Sequence, residues 1–316
     1  MLSSVPPGVV FAATLLLTAG LAILFPDLLL HWGSFQPRIL VVPLLQFIMF
    51  AMGTRVSVAD LRQVLAAPRL VIIGLGLQYL IMPFSAAGLA AAFRLPAEVS
   101  AGVILVGSVC AGNSSNVMTY FAGGNLALSV AMTTLSTLLS PLTTPAFMYL
   151  LAGRIVPVDF AALTWSIVRI VVAPVSAGLF CEWLLRGYRA QAEPWLPRLV
   201  IAATCLVNAI IVANARDALL SLGLTLLLVE MLHNLTGYVL GYAGGCLLGL
   251  NARDAATMAM QVGIRNGGLA TGLAYDVLKS GNAAIPSVVF GTLQNATGAL
   301  LAAILRKRLE RTKENP

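Results

Sequence analysis

Apolar residues along this chain fall into ten long stretches separated by short polar segments. Their approximate bounds are 8–27, 38–54, 70–93, 98–122, 126–152, 159–184, 196–214, 219–249, 254–277 and 284–305. Each stretch is long enough to cross the hydrocarbon core of a bilayer, about 30 Å thick, as a helix. The pattern therefore predicts an all-α integral membrane protein with ten transmembrane helices.

The two halves of this pattern echo each other. Gln78 lies 155 residues before His233, and Gly124-Asn125 lies 157 residues before Gly281-Asn282. Five spans per repeat is an odd number, so the second copy must be inverted in the membrane. We predict a first inverted repeat at 1–153, a second at 154–305 and a basic cytoplasmic tail at 306–316.

Small and polar residues interrupt the fourth and the ninth stretch near their centres. The interruptions are Cys110-Ala111-Gly112-Asn113-Ser114-Ser115-Asn116 and Gly263-Ile264-Arg265-Asn266-Gly267-Gly268. Irregular backbone at membrane depth is tolerated where protein buries it or where it lines a wet cavity, and paired broken helices point to a transporter's site. The N-termini of half-helices favour an anion, while freed carbonyls and side-chain oxygens suit a small cation.

Arg265 is the most unusual residue of these interruptions. A charge at the bilayer centre costs roughly 3 kcal/mol on insertion scales, which makes it a candidate site residue. It could hold the site in its binding-competent state or contact a substrate carboxylate; a structural salt bridge with Glu230 is the alternative. Glu230 and His233 share a helix face and are candidates for charge balance or proton coupling, and Arg169 is another candidate partner for Glu230.

Composition supports the membrane class. Hydrophobic residues make up 59% of the 316 residues and charged residues 10%, against about 25% charged in soluble domains. The formal net charge is +7, but the basic residues mark loops and the tail rather than a nucleic-acid surface. With both termini cytoplasmic, the inner segments carry Arg55, Arg62, Arg69, Arg186, Arg189, Arg198, Arg253, Arg306, Lys307, Arg308, Arg311 and Lys313.

The outer segments then carry fewer basic residues, namely Arg38, Arg94, Arg154, Arg216 and Lys279. The positive-inside rule favours this orientation. We expect a multi-pass protein of the inner (plasma) membrane whose partners are the lipid bilayer and a small organic anion, with no nucleic acid and no obligatory protein partner.

No motif for enzyme chemistry is present. The chain has no His-Glu-x-x-His, no Gly-x-Ser-x-Gly and no phosphate-binding glycine loop. Its cysteines lie in apolar runs without paired spacing, which argues against a disulfide framework or a zinc site. The sequence predicts a non-enzyme without a resident cofactor.

From about residue 40 onward, the chain matches a known family in order. The matching residues are Gln78 with Leu80-Ile81-Met82-Pro83, Ser115-Asn116-Val117-Met118-Thr119-Tyr120, Gly124-Asn125 with Leu128-Ser129-Val130, Ser136-Thr137-Leu138-Leu139-Ser140-Pro141, His233-Asn234, and Gly263 with Asn266. On these residues, the chain resembles the bile acid:sodium symporter family, as a bacterial member. The resemblance implies a panel and a core domain, alternating access, and two helices that cross at their broken centres. Family members carry bile acids or small carboxylates such as pantoate, usually with sodium.

The resemblance also implies positions for two sodium sites. The first site falls on Ser115, Asn116, Ser129 and Thr133. Family members add a glutamate to it, and this chain has Gln261 at that position. The second site uses Gln78, the position of Gln261 and backbone oxygens near Val262 and Ile264; family members add a glutamine to it, and this chain has Arg265 at that position. For the substrate, we expect contacts at Asn113, Ser114, Arg265, Asn266, Gly267 and His233.

Both departures from the family pattern replace sodium chemistry. One glutamate with two sodium ions has the same local charge as Gln261 with Arg265 and no ion. A sodium ion about 4 Å from the guanidinium would be repelled by roughly 4 kcal/mol at an effective dielectric constant near 20. We therefore predict a secondary transporter of a small organic anion with weak or lost sodium dependence. The alternatives are an ordinary sodium-coupled symporter that uses the first site and a non-transporting membrane receptor.

Overall fold

The chain, in a computed structural model, is described over residues 7–33, 35–54, 68–184, 195–214 and 216–314. Over these ranges, the secondary structure is helical apart from two isolated bridges. The helices are α1 (Pro7–Leu24), α2 (Asp27–Leu30), α3 (Val41–Gly53), α4 (Pro68–Ala92), α5 (Ala97–Ser108), α6 (Ser114–Phe121), α7 (Leu126–Ala152), α8 (Phe160–Leu184), α9 (Leu196–Asn214), α10 (Arg216–Leu247), α11 (Ala252–Gly263), α12 (Gly267–Asp276) and α13 (Gly281–Glu314). A 3-10 turn, Pro37–Leu40, precedes α3, and α8 contains a π-helical turn at Val168–Val172.

Five of the helices are long and apolar enough to cross a membrane by length and composition. They are α4, α7, α8, the part of α10 from Leu220 to Leu247, and α13 as far as Arg311. The described part of the chain is therefore an all-helical, multi-pass membrane protein, as the sequence predicts. The count of ten spans and their inverted repeat stay predictions. The orienting residues Arg55, Arg62, Arg186 and Arg189 lie outside the described residues, as do residues 315–316 of the tail.

Side-chain caps set where several of these helices begin. The side chains of Asn125, Asp159, Asn251 and Asn266 each accept a hydrogen bond from a backbone N–H in the first turn of α7, α8, α11 and α12, respectively. Asparagine and aspartate are favoured at this position because they satisfy N–H groups that have no partner within the helix. These caps fix the starts of four helices, one of which, α12, follows a break in a predicted transmembrane stretch.

The helices form two packed groups. In the first group, α3 packs against α8 and α9, and α1 packs against α9. In the second group, α10 packs along α11 and against α4, while α4 also contacts α5 and α7. Helix α13 runs through the second group, where it contacts α5, α6, α10 and α12, and it also reaches α1 and α9.

Glycines let helices of the second group approach until their backbones touch. A Cβ at Gly102 in α5 would lie 2.3 Å from the carbonyl oxygen of Ala283 in α13. A Cβ at Gly237 in α10 would lie 2.7 Å from the Cα of Gly263, at the end of α11. Small residues at helix interfaces are a common way for membrane helices to pack closely.

The Gly102 contact generates a stability prediction. We expect Gly102→Ala to lower the free energy of unfolding by about 1–3 kcal/mol, because the new methyl group overlaps backbone that has no room to move. This loss outweighs the gain of about 1 kcal/mol in helix propensity. Thermal unfolding of the detergent-solubilised protein, followed by circular dichroism, measures the effect.

Gly88→Ala is the matched control, because a Cβ at Gly88 meets nothing within 4 Å. This variant should unfold at the wild-type temperature or above. Equal unfolding temperatures for the Gly102 and Gly88 variants would contradict the backbone contact between α5 and α13.

Candidate functional site

Two interrupted helices meet side by side at the centre of the second group. Residues 109–113 join α5 to α6, and residues 264–266 join α11 to α12. The two connectors run antiparallel and pair through a bridge between Ala111 and Arg265. The N–H of Gly112 donates to the Ile264 carbonyl at 3.3 Å, and the N–H of Asn266 donates to the Cys110 carbonyl at 2.9 Å. We call these paired segments the crossed connectors.

Glycine is required where the crossed connectors touch their surroundings. A Cβ at Gly112 would lie 2.7 Å from the Arg265 carbonyl oxygen. At Gly263, a Cβ would overlap the edge of the Tyr238 ring at Cδ1 and Cε1. The glycines of both interruptions therefore permit the close pairing as well as the helix breaks.

The side chain of Arg265 binds the broken end of the other helix. Its Nη2 donates to the carbonyl oxygen of Gly107 at 2.9 Å and also to that of Val109. These carbonyls lie in the last turn of α5 and just beyond it, where the helix dipole is negative and carbonyls have no intrahelical donor. Arg265 is 1% exposed, and its Nε and Nη1 have no hydrogen-bond partner among the described residues.

The alternative considered for Arg265, a salt bridge with Glu230, is not formed in the structure. Glu230 instead contacts His233, through Oε2 and Nδ1 at 3.3 Å, and its Oε1 has no hydrogen-bond partner among the described residues. The suggested pairing of Arg169 with Glu230 is also wrong, because Arg169 Nη2 binds the Asp276 carboxylate at 2.6 Å. The physical reason is which partner lies within hydrogen-bond distance of each arginine. The carbonyls freed by the break in the helix lie next to Arg265, and the Asp276 carboxylate at the end of α12 lies next to Arg169.

The Arg169–Asp276 ion pair joins the two groups of helices. Arg169 lies in the π-helical turn of α8, and Asp276 is the last residue of α12. Ser166 donates to the same carboxylate at 2.6 Å, and Gln46 of α3 donates to the Arg169 carbonyl at 3.1 Å. The pair is therefore a contact between the two groups rather than part of the crossed connectors.

Gln294 of α13 clamps the backbone of Arg265. Its Oε1 accepts from the Arg265 N–H at 2.7 Å, and its Nε2 donates to the Arg265 carbonyl at 3.0 Å. Asn234 of α10 gives similar support, since its Nδ2 donates to the Gly263 carbonyl at 2.8 Å and its Oδ1 accepts from Thr297 at 2.6 Å. These residues satisfy backbone groups that the break in the helix leaves without partners.

The oxygen atoms predicted for a first sodium site form one compact cluster. Ser115 and Asn116 come from α6, and Ser129 and Thr133 come from α7. The amide nitrogen of Gln261 lies among them, at 2.9 Å from Ser115 Oγ, 3.2 Å from Asn116 Oδ1, 3.1 Å from Thr133 Oγ1, and 2.5 and 3.0 Å from the hydroxyl and carbonyl oxygens of Ser129. An amide nitrogen has two protons, so five acceptors exceed what it can fully satisfy. We call this set the oxygen cluster.

The residues predicted for a second sodium site differ from the oxygen cluster in their hydrogen bonding. Gln78 is fully buried, and neither its Oε1 nor its Nε2 has a hydrogen-bond partner among the described residues. The Ile264 carbonyl is engaged in the crossed connectors, and Val262 is fully buried near the end of α11. The Arg265 guanidinium is bound to the α5 carbonyls, so its charge is fixed close to this set.

A cavity of about 400 Å³ lies beside the crossed connectors. Predicted substrate residues that line it are Asn113, Ser114, Arg265, Asn266 and Gly267. His233 does not line it, because this side chain is fully buried against Glu230 and the Met82 carbonyl, which its Nε2 approaches to 3.1 Å. The guanidinium of Arg265 is buried as well, so its residue reaches the cavity mainly through its backbone.

The cavity has one apolar and one polar wall. The mainly apolar wall comes from α3 and α9, with Leu45, Ile48, Met49, Val200, Val207 and Ile211, and it also contains the polar residues Thr204 and Asn208 of α9. The polar wall comes from the first turns of α6 and α12 and from α13, and it includes Asn113, Ser114, Thr271, Ser287, Gln294 and Asn295. Sequence reasoning missed the contribution of α13, although Gln294, Asn295 and Thr297 interrupt its apolar run and could have signalled it.

This arrangement of crossed, broken helices beside an amphipathic cavity defines a membrane transporter. A model of the sodium bile acid symporter family matches residues 42–222. The chain is 38% identical to the uncharacterized sodium-dependent transporter YocS of Bacillus subtilis, over 96% of this chain and 93% of that protein. It is 31% identical to the probable chloroplastic sodium/metabolite cotransporter BASS1 of Arabidopsis thaliana, over 84% of this chain and 67% of that protein.

A further relative is the probable chloroplastic sodium/metabolite cotransporter BASS6 of Arabidopsis thaliana, which is 32% identical over 98% of this chain and 76% of that protein. The chain belongs to the sodium bile acid symporter family. It is a secondary transporter and not an enzyme, and the predicted resemblance is confirmed.

The Gln294 clamp can be tested separately from transport. We expect Gln294→Leu to lower the free energy of unfolding by about 1–3 kcal/mol, because it leaves the buried N–H of Arg265 without a partner, while the Arg265 carbonyl still accepts from the Gly267 N–H. Gln294→Glu keeps the acceptor for the N–H and should lose less. Thermal unfolding in detergent measures both variants; a Leu variant as stable as wild type would contradict the clamp.

Proposed function

We propose that this protein carries a small organic anion across the membrane by alternating access, with sodium dependence that is weak or lost. The substrate is bile-acid-like or a smaller carboxylate such as pantoate. The observation that carries the proposal is that Gln261 Nε2 binds the oxygens predicted for the first sodium site, while the Arg265 guanidinium brings a fixed positive charge to the position predicted for a ligand of the second.

The amide nitrogen of Gln261 competes with sodium for the oxygen cluster. The hydroxyls of Ser115 and Ser129 donate their own protons to the Gly112 carbonyl and to Asn116, at 2.7 Å in each case. Their lone pairs are therefore free for a donor or a cation at the position of the amide nitrogen. A sodium ion would have to displace the amide, and no formal negative charge of the cluster would compensate it. Burying an uncompensated charge is unfavourable, so sodium should bind weakly.

Arg265 acts as a permanent cation of the crossed connectors. Its guanidinium holds the end of α5 to the segment that joins α11 and α12, whether or not an ion is bound. Its burial favours this bridging function over direct contact with a substrate carboxylate. The positive charge still acts through the low dielectric of the protein on an anion in the neighbouring cavity.

The polar wall of the cavity suits an anionic group. The first turns of α6 and α12 both line it, and the first N–H groups of a helix have no intrahelical acceptor. Two helix N-termini together present the positive ends of two dipoles, although the N–H groups of Gly267 and Leu269 in α12 already have acceptors in the protein. The Asn113 side chain makes no capping hydrogen bond to α6, where the N–H groups of Ser115 and Asn116 donate to backbone carbonyls. The apolar wall of α3 and α9 then accommodates the hydrocarbon part of the same molecule.

Matching contacts at the two ends of the second helix group support the inverted repeat at 1–153 and 154–305. Glu98, in the first turn of α5, accepts from Asn282 at 2.9 Å. Asp254, in the first turn of α11, accepts from Asn125 at 2.9 Å. Each broken helix is thus fastened at its start to the Gly-Asn pair of the opposite half.

The turns repeat in the same way. The left-handed residues Arg94 and Gly249 follow α4 and α10, and Gly123 and Lys279 follow α6 and α12. On this symmetry, the group of α1, α3, α8 and α9 is the panel, and the remaining long helices form the core. We further propose that both termini are cytoplasmic in the plasma membrane, in accord with the basic residues that close α13.

The loss of sodium coupling can be tested by restoring the family's residues. In proteoliposomes, the wild type should take up labelled pantoate or a labelled bile acid with little change on adding an inward sodium gradient. The double variant Gln261→Glu with Arg265→Gln should gain at least about tenfold sodium stimulation, since it restores a carboxylate and removes a repulsion of several kcal/mol.

The single variants are the matched controls. Arg265→Gln without the carboxylate, and Gln261→Glu with the guanidinium still present, should each gain less than the double variant. Strong sodium stimulation of uptake by the wild type would overturn the proposal in favour of an ordinary sodium-coupled symporter. The names of the relatives suggest that alternative. Stabilisation by the ligand without flux would instead indicate a receptor.

The anion site can be tested at the N-cap of α12. Asn266→Asp keeps an oxygen that can cap the Leu269 N–H, but it places a negative charge on the polar wall. At about 5 Å and an effective dielectric constant near 20, the repulsion of an anion is roughly 3 kcal/mol, or about 100-fold in affinity. Asn266→Ser also caps but stays neutral, and it should bind the labelled anion much more tightly than the Asp variant. Equal binding by the two variants in an equilibrium assay would place the anion elsewhere.

A further inference from the structure

The buried pair of Glu230 and His233 takes no part in the site described so far. Both side chains are fully buried on α10, one turn apart, and neither lines the cavity. The ring of Phe290 on α13 covers His233, with ring centroids 5.3 Å apart. A titratable pair inside a membrane protein that is held away from water is costly, which makes it a candidate for proton binding and transfer.

The geometry of the pair suits a shared proton. The Met82 carbonyl can only accept, so a hydrogen bond at their 3.1 Å contact requires a proton on His233 Nε2. Nδ1 lies 3.3 Å from Glu230 Oε2. If Nδ1 and the carboxylate both lacked a proton, two lone pairs would face each other there. A proton on either the ring nitrogen or the carboxyl group removes this repulsion and makes the pair neutral.

A short backbone path joins this pair to Arg265. The Met82 carbonyl that His233 contacts also lies against Gly107, where a Cβ would be 2.6 Å from that oxygen. The Gly107 carbonyl in turn accepts from Arg265 Nη2 at 2.9 Å. Met82 of α4 and Gly107 of α5 are therefore the two residues that separate the pair from the Arg265 guanidinium.

Other charged and titratable groups on the helices packed against α10 lie at helix ends or are bonded elsewhere. They are Arg69 in the first turn of α4, Tyr79 bonded to Thr143, Arg253 and Asp254 in the first turn of α11, Arg198 and Cys205 on α9, and Arg306, Lys307, Arg308, Glu310 and Arg311 in the last turns of α13. Among the described residues, Arg265 is therefore the charged residue that is connected to Glu230 and His233, through the backbone of Gly107 and Met82.

We propose that Glu230 and His233 form the binding site for a coupling proton, so that one proton travels with each substrate anion. The inference rests on the proposed function. With the proton bound, the pair is neutral, and the positive charge of Arg265 is available to attract the anion. After the anion and the proton leave on the other side, the carboxylate of Glu230 balances Arg265 while the empty carrier returns. The buried core is then electrically neutral in both the loaded and the empty carrier during the crossing.

Proton movement in proteoliposomes tests the proposal without sodium. Vesicles that contain the wild-type protein and the pH dye pyranine are given labelled pantoate or labelled cholate, with the membrane potential clamped by potassium and valinomycin. We expect one proton to enter with each anion, and uptake to be stimulated at least about tenfold by an acidic outer solution but not by changing the clamped potential. Anion uptake that follows the potential, without acidification inside, would overturn the proposal.

Glu230→Gln supplies the second readout. The amide keeps the shape of the side chain and can donate to Nδ1, but it cannot release a proton. Net uptake of the anion should therefore decrease more than the exchange of internal for external anion does, by a further factor of at least about ten. Glu310→Gln, which removes an exposed carboxylate paired with Arg306, is the matched control and should keep the wild-type ratio of protons to anions. A Glu230→Gln variant with that same ratio would overturn the assignment.

Different results would overturn the proton site and the proposed anion transport. Flux of the anion without protons would overturn the proton site and leave the proposed anion transport intact. Absence of both uptake and exchange by the wild type with each probe would overturn the proposed function, and the proton site with it.

Discussion

The backbone groups freed by two broken helices must find partners inside a membrane protein, and the centre of the structure is organised around that constraint. Water is not available there to compensate them. Residues 109–113 and 264–266 meet part of the need by pairing with each other like strands. Arg265, Gln294 and Asn234 meet further parts with side chains from other elements. The breaks are thus stabilised by the protein itself, and the first turns of α6 and α12 remain free to face a cavity.

Arg265 links this constraint to electrostatics. A cation near the broken end of α5 favours the negative end of that half-helix, and a guanidinium also supplies the hydrogen-bond donors that the carbonyls need. A bound metal ion could leave when its concentration falls, whereas the guanidinium cannot. The amide nitrogen of Gln261 holds the oxygen cluster in a comparable way. In this chain, the protein therefore contributes donors of its own where the helices cross.

The sequence predicted the helical membrane class and the two interruptions well, because length, apolarity and glycine content are local properties. It also named Ser115, Asn116, Ser129, Thr133 and Gln261 as one set, and the structure brings these residues together. It failed on partners: Arg265 does not pair with Glu230, and His233 does not line the cavity. Such choices depend on helix rotation and on which carbonyls lie within reach. The clamp by Gln294 was missed because the importance of a lone amide in an apolar run appears only once its neighbours are known.

A fixed cation also changes what the transport cycle must accomplish. Without a coupled cation, an inside-negative potential opposes the entry of an anion by about 2.3 kcal/mol per charge for each 100 mV. A core that kept the charge of Arg265 uncompensated when empty would meet a further barrier, because an unpaired charge is poorly tolerated in a low-dielectric interior. Both difficulties are removed if a second group of the core changes its charge in step with the anion. Glu230 is a fully buried carboxyl group in contact with His233, and under the proposed proton coupling it is the group whose charge would change.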